Sequence, residues 1–145
     1  MTGENTMPLS AEEFEQLFSV VQVCFGYSLT RETLSEELSN PLFASVFCRR
    51  DGRVVGFALG RVVADEGELY QIGVLPEFRG QHIAQSLLEQ LHGLMAEKGA
   101  AKCFLEVRSR NVPAISLYEK SGYERISVRK GYYSDDDALI YQKDF

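Results

Sequence analysis

The segment Leu69-Tyr70-Gln71-Ile72-Gly73-Val74-Leu75-Pro76-Glu77-Phe78-Arg79-Gly80-Gln81-His82-Ile83-Ala84 sets the architecture of this chain. From Leu69 to Val74 it has a strand pattern, which stops at Pro76. A short polar loop containing Gly80 follows, and an amphipathic helix begins at Ile83. Strand, tight loop and helix N-terminus in that order make a cradle for phosphate, because backbone N–H groups converge there and the helix dipole adds positive potential. The plainer reading is a structural strand-to-helix turn. Such a cradle usually carries Gly where His82 stands, since Gly allows close backbone approach and positive φ.

Upstream, Ser10 and Glu13 form a capping box. Phe14, Leu17, Phe18 and Val21 recur at helical spacing, which predicts a helix to about Val23. A second short helix spans Thr30 to Ser39, with Leu34 and Leu38 on one face, and Pro41 ends it. Leu42 to Arg49 reads as a strand, Asp51-Gly52 as a hairpin turn, and Arg53 to Val63 as the return strand. Asp65 to Gly67 turn the chain into a third antiparallel strand, Glu68 to Val74. Downstream of the loop, Ala84, Leu87, Leu88, Leu91, Leu94 and Met95 form one stripe of a helix that Lys98-Gly99 terminate. His92 falls on its polar side and is expected to be solvated. Lys102 to Val107 reads as a strand. Asn111 and Pro113 open a short helix, Gly122 follows its end, and Tyr123 to Arg129 and Ala138 to Gln142 read as the last strands. An α/β (α+β) fold results, with a mixed sheet flanked by helices in one domain over residues 1–145.

The chain has 145 residues, 45% hydrophobic and 25% charged, as in an ordinary globular protein. A formal net charge of −6 argues against a general nucleic-acid binder and suits a basic protein or an amine as partner. No apolar stretch approaches the ~20 residues of a membrane span, and Met1 to Pro8 lack a signal-peptide core, so a cytoplasmic location is expected. Cys24, Cys48 and Cys103 are odd in number, sit in apolar settings and lack metal-ligand spacing. They are expected to be reduced core residues, and no metal is expected.

Glu106, between Leu105 and Val107, faces the opposite side of its strand from them, near the strand end. Beside a cleft it is suited to general-base work; otherwise it is a surface salt-bridge partner. Tyr118 on the short helix can donate a proton to a leaving thiolate, or it is a core tyrosine with a satisfied hydroxyl. Tyr132 and Tyr133 can flank an acceptor peptide or pack at a strand end. Asp135-Asp136-Asp137 reads as an exposed turn or as an anionic rim for a basic substrate.

Val74 to Ala84, then Leu105-Glu106-Val107-Arg108 with Asn111, then Ala114, Leu117-Tyr118 and Gly122-Tyr123, together resemble the GNAT superfamily of N-acetyltransferases. The resemblance runs from Arg53 to the C-terminus. Within the superfamily the chain is most similar to the bacterial ribosomal-protein alanine N-acetyltransferases, the RimI branch. That likeness adds the tail Arg129-Lys130-Gly131-Tyr132-Tyr133 followed by Asp137-Ala138. The resemblance implies a twisted, mostly antiparallel sheet and acetyl-CoA as cosubstrate. It implies Ile72, Gly73 and Val74 along the acetyl-pantetheine arm. Arg79, Gly80, Gln81, His82, Ile83, Ala84 and Gln85 fall at the pyrophosphate, and Asn111 beyond the thioester. It makes Glu106 the base, Tyr118 the acid, and Tyr132 and Tyr133 the acceptor contacts. The acceptor it implies is a basic ribosomal-protein N-terminus, the N-terminal alanine of the eighteenth small-subunit protein. A monomer or weak homodimer, touching neither nucleic acid nor membrane, is expected. A small amine (a polyamine or an amino sugar), a protein lysine, or a non-catalytic acetyl-CoA-binding module are the other readings. The branch often carries Pro-Trp-Ser between its first helices. This chain reads Gly26-Tyr27-Ser28 there, where a wall of the acceptor groove is expected.

Overall fold

The predicted periodicities become elements in the computed structural model, which describes residues 9–26 and 29–145. The expectations for Met1 to Pro8 and for Tyr27-Ser28 lie outside those residues. Helix α1 (Ala11–Phe25) opens on both legs of the capping box: Glu13 N–H donates to Ser10 Oγ and Ser10 N–H to Glu13 Oε1, each at 3.1 Å. It runs past Val23 and ends at Gly26, whose φ is +81°. Helix α2 (Arg31–Ser39) is capped by the Thr30 hydroxyl, which accepts from Thr33 N–H at 3.1 Å. Strands β1 (Phe43–Arg50) and β2 (Arg53–Val63) meet at Asp51-Gly52, where both residues have positive φ, as a two-residue hairpin of this type requires.

Strand β3 (Glu66–Val74) starts earlier than expected, because the turn before it is tighter, with Ala64 at φ +55°. A single 3-10 turn, Pro76–Phe78, leads to α3 (Ile83–Glu97), followed by β4 (Lys102–Arg108) and α4 (Val112–Lys120). Strands β5 (Glu124–Tyr133) and β6 (Asp136–Asp144) form a longer hairpin than expected. Every β5 residue before Tyr133 is exposed, so the alternation that marks a half-buried strand is missing there.

The six strands lie in the order β1-β2-β3-β4-β6-β5, antiparallel except for β3 against β4. Helix α3 covers one face, close enough that a Cβ at Gly60 would run into the Met95 side chain and lie 3.5 Å from Leu91 Cδ2. Helix α1 covers β2 and β3 from the other face, with Phe25 edge-on to Phe57 at 6.0 Å. The core between these layers is built from Leu17, Val21, Val46, Phe57, Leu87 and Leu91. Pairing of β3 with β4 is confined to Glu66–Glu68 against Lys102–Phe104. Beyond Glu68 and Phe104 the two parallel strands part, and the site lies in that gap.

Candidate active site

A parted sheet leaves backbone groups without ladder partners. Leu75 N–H donates to Val55 O at 2.9 Å. Alternation along the β2–β3 ladder then turns the amides of Gly73 and Gln71 toward β2 and those of Val74 and Ile72 toward the gap. Gly73 faces α1 instead, where a Cβ would lie 2.9 Å from Cys24 Sγ.

The gap opens onto the N-terminus of α3. Gly80 has φ +79°, and His82 takes the left-handed conformation (φ 62°, ψ 18°) that Gly adopts most readily. No side chain caps this helix, and the first intrahelical bond is Ser86 N–H to His82 O at 3.1 Å. The amides of Ile83, Ala84 and Gln85 are therefore free of intrahelical partners and lie at the positive end of the dipole. Arg79 turns back through Nε to Val74 O at 3.0 Å.

One cleft of about 670 Å³ takes in all of these expected cofactor residues except Gln81, together with Glu106, Asn111, Tyr118 and Tyr133. Arg79, Arg108 and Lys120 line it against one carboxylate, Glu106, in a chain whose formal net charge is −6. That local inversion of charge and the row of free amides fit a pyrophosphate-bearing ligand. Asn111 caps α4, its Oδ1 accepting from Ala114 N–H at 3.3 Å.

Glu106 projects from β4 on the face that α3 and α4 do not cover, and both readings of it meet there. It lines the cleft, and its Oε1 accepts from Arg129 Nη1 at 3.4 Å. It also lines a second trough of about 570 Å³ with Arg61, Glu68, Phe104, Arg129 and Ile140. Tyr118 is likewise both things: its ring is buried against Tyr123 at 5.8 Å, and it lines the cleft. Burial, with Cys103 close by, pushes its phenol up to about 12.

Tyr133 lies under the Arg108 guanidinium at 4.0 Å and lines the cleft. Its phenol is raised by burial and by the Glu106 carboxylate. Tyr132 is outside the cleft, exposed, with Arg129 over its ring at 5.4 Å. The aspartate turn is no free anionic rim. Asp135 pairs with Arg108 at 2.7 Å, and Asp137 accepts from Gly131 N–H at 2.8 Å. Asp136 accepts from the Ser109 hydroxyl and from Arg110 N–H, so the β5–β6 hairpin clasps the β4–α4 loop.

Two expectations need correction. His92 is buried, not solvated: its Nε2 and Tyr123 Oη are hydrogen-bonded at 2.6 Å, and the C-terminal Phe145 ring packs on it at 5.2 Å. Burial and then the Lys143 charge bring its imidazole down to about 4. Cys48 and Cys103 are core thiols, but Cys24 is half-buried and lines the cleft, its thiol donating to Val74 O at 3.6 Å. Cys24, Phe25 and Lys120 are cleft residues that local patterns did not mark, because the helix ends that carry them reach the gap only after folding. Among the described residues no group of three or more His, Cys, Asp or Glu is arranged to hold a metal ion. No helix among them is long and apolar enough to cross a membrane.

Comparison with known proteins agrees with this geometry. A provisionally named ribosomal protein bS18-alanine N-acetyltransferase of Bacillus subtilis (strain 168) is 33% identical over 132 residues, 89% of this chain and 87% of that one. The ribosomal protein bS18-alanine N-acetyltransferase of Escherichia coli (strain K12) is 38% identical over 89 residues, 61% of this chain and 60% of that one. The crystal structure of the ribosomal-protein-S18-alanine N-acetyltransferase from Escherichia coli superposes with a TM-score of 0.82 at 28% identity, covering 94% of this chain and 90% of that one. A PaiA N-acetyltransferase from Thermoplasma acidophilum, solved with coenzyme A, shares the fold at a TM-score of 0.77 and 23% identity, covering 94% and 96%. Residues 12–123 match the Acetyltransferase (GNAT) family, and the chain belongs to that family of acyltransferases.

Proposed function

We propose that this acetyltransferase moves the acetyl group of acetyl-CoA to the α-amine of a protein N-terminus, with the N-terminal alanine of ribosomal protein bS18 as the acceptor. One observation carries the reading: the free amides of the α3 N-terminus, a base candidate and an acid candidate line the same cleft. The names of the relatives support the acceptor.

Acetyl-CoA supplies an activated thioester carbonyl. The amides at 83–85, with Arg79 and Lys120, bind its phosphates, and the gap-facing amide of Ile72 holds the arm. An α-amine has a reference pKa near ~8, so Glu106 need only collect one proton at neutral pH. The Val74 amide donates to the carbonyl oxygen as negative charge grows there. Tyr118, held at about 12, keeps its proton at neutral pH. It is a weaker acid than a free thiol near ~8.5, so it donates a hydrogen bond to the departing sulfur, which takes up the second proton that the attacking nitrogen loses as the amide forms.

Glu106→Gln and Tyr118→Phe are each expected to lower kcat by about 10²-fold on an Ala-initiated peptide, followed by mass. Wild-type rates in both variants contradict the assigned roles.

A further inference from the structure

We propose that Arg129 is a positioning residue for the transfer, holding the Glu106 carboxylate in the orientation that receives the acceptor's proton. The proposal rests on the reading of Glu106 as the base. Among the described residues, the Arg129 contact is the one hydrogen bond or ion pair that Glu106 makes. Arg129 lines the trough on the sheet face but not the cleft, whereas Glu106 lines both. The guanidinium therefore holds the carboxylate from the trough side and leaves the cleft side open to an amine.

Reaching Glu106 is not a local matter for Arg129, because β6 lies between β4 and β5. Strand register is lost between Arg129, opposite Ala138, and Tyr133, opposite Asp136. Such a bulge re-aims side chains and is frequent beside active sites. Gly131 takes φ +61° within it, and its N–H is held by Asp137 Oδ1 at 2.8 Å. The bulge brings the Tyr132 ring against the guanidinium at 5.4 Å and sets Tyr132 edge-on to Tyr133 at 5.2 Å. Arg129 is thus steadied by Tyr132 while it holds Glu106.

An ion pair whose arginine side chain is 57% exposed adds little to stability. Stability therefore does not explain why a bulge, a left-handed glycine and a stacked tyrosine surround it. Orientation does: a carboxylate on a strand end has free torsions, and a misplaced base loses rate steeply.

The test is a double-mutant cycle read by kcat and KM on the full chain. Arg129→Gln is expected to lower kcat about tenfold while leaving Tm unchanged. KM for acetyl-CoA is expected to stay within about twofold, because the interaction acts on the transition state rather than on cofactor binding. Arg129→Lys recovers part of the rate. In a Glu106→Gln background, Arg129→Gln has no further effect. An Arg129→Gln enzyme with wild-type kcat, or one that loses the same factor in both backgrounds, overturns the proposal while Glu106 keeps its role. A Glu106→Gln enzyme with wild-type kcat overturns the base reading and this proposal together.

Discussion

His82 holds the left-handed conformation directly before α3, at a position where an L side chain costs about 1–2 kcal/mol. Its ring makes no capping bond, so in the proposed binding of acetyl-CoA the loop acts through its backbone. Replacement by Gly is expected to keep Tm and to hold KM for acetyl-CoA within about twofold, since the strain relieved offsets the looser unfolded chain. His82→Val is expected to lose about 1–2 kcal/mol and to raise that KM, because a β-branched residue resists positive φ. Urea unfolding and steady-state kinetics check both. His92 gives a pH signature. Its folded pKa of about 4 lies below the ordinary 6.5, so the unfolded chain binds its proton more readily. Stability is therefore complete above pH 6.5 and falls as pH drops toward 4. The loss from this residue is on the order of 3 kcal/mol. A His92→Gln variant should show a smaller drop in urea midpoint between pH 7 and pH 4.5, and an equal drop would contradict the assignment.

Helix α1 is pressed onto β3 at Gly73, where any Cβ would strike Cys24 Sγ at 2.9 Å. Gly73→Ala is expected to cost about 1–3 kcal/mol by overpacking, and a Cys24→Ala background should return part of it. Denaturant unfolding of the two single variants and the pair measures this. Such contacts also show what could be read beforehand. The capping box of α1, the Asp51-Gly52 hairpin and the stripe of α3 are local patterns, and each became the expected element. The parting of β3 from β4 was not legible, because it depends on how far two distant strands pair. Nor was the true length of β5, whose exposed residues carry no alternation. At the site, Glu106 and Tyr118 were each ambiguous alone. His92 was misread because the groups that bury it, Tyr123 and Phe145, come from other parts of the chain. The hairpin clasp of Asp136 on Ser109 and Arg110 joins the β5–β6 hairpin to the loop that carries Asn111. Asp136→Ala is expected to speed amide hydrogen exchange at Arg110 and in the first turn of α4, with slower change in α3.

Across the whole molecule, an acidic chain builds one cleft rich in cations and free amides, and it does so by letting two parallel strands separate. Helix α3 lines that separation from one face and the end of α1 from the other. Glu106 stands where the cleft meets the open trough on the sheet face, which suits an acceptor that arrives as an extended chain rather than as a small enclosed molecule. The identity of the acetylated amine is therefore decisive. The purified chain is given acetyl-CoA and an equimolar mixture of an Ala-initiated basic peptide, the same peptide with a blocked N-terminus and a free lysine, and spermidine, and the products are weighed. Acetyl on the free N-terminal alanine, well ahead of the other two amines, is the predicted result. Preferential modification of the lysine or of spermidine, or no transfer to any of the three, would contradict it.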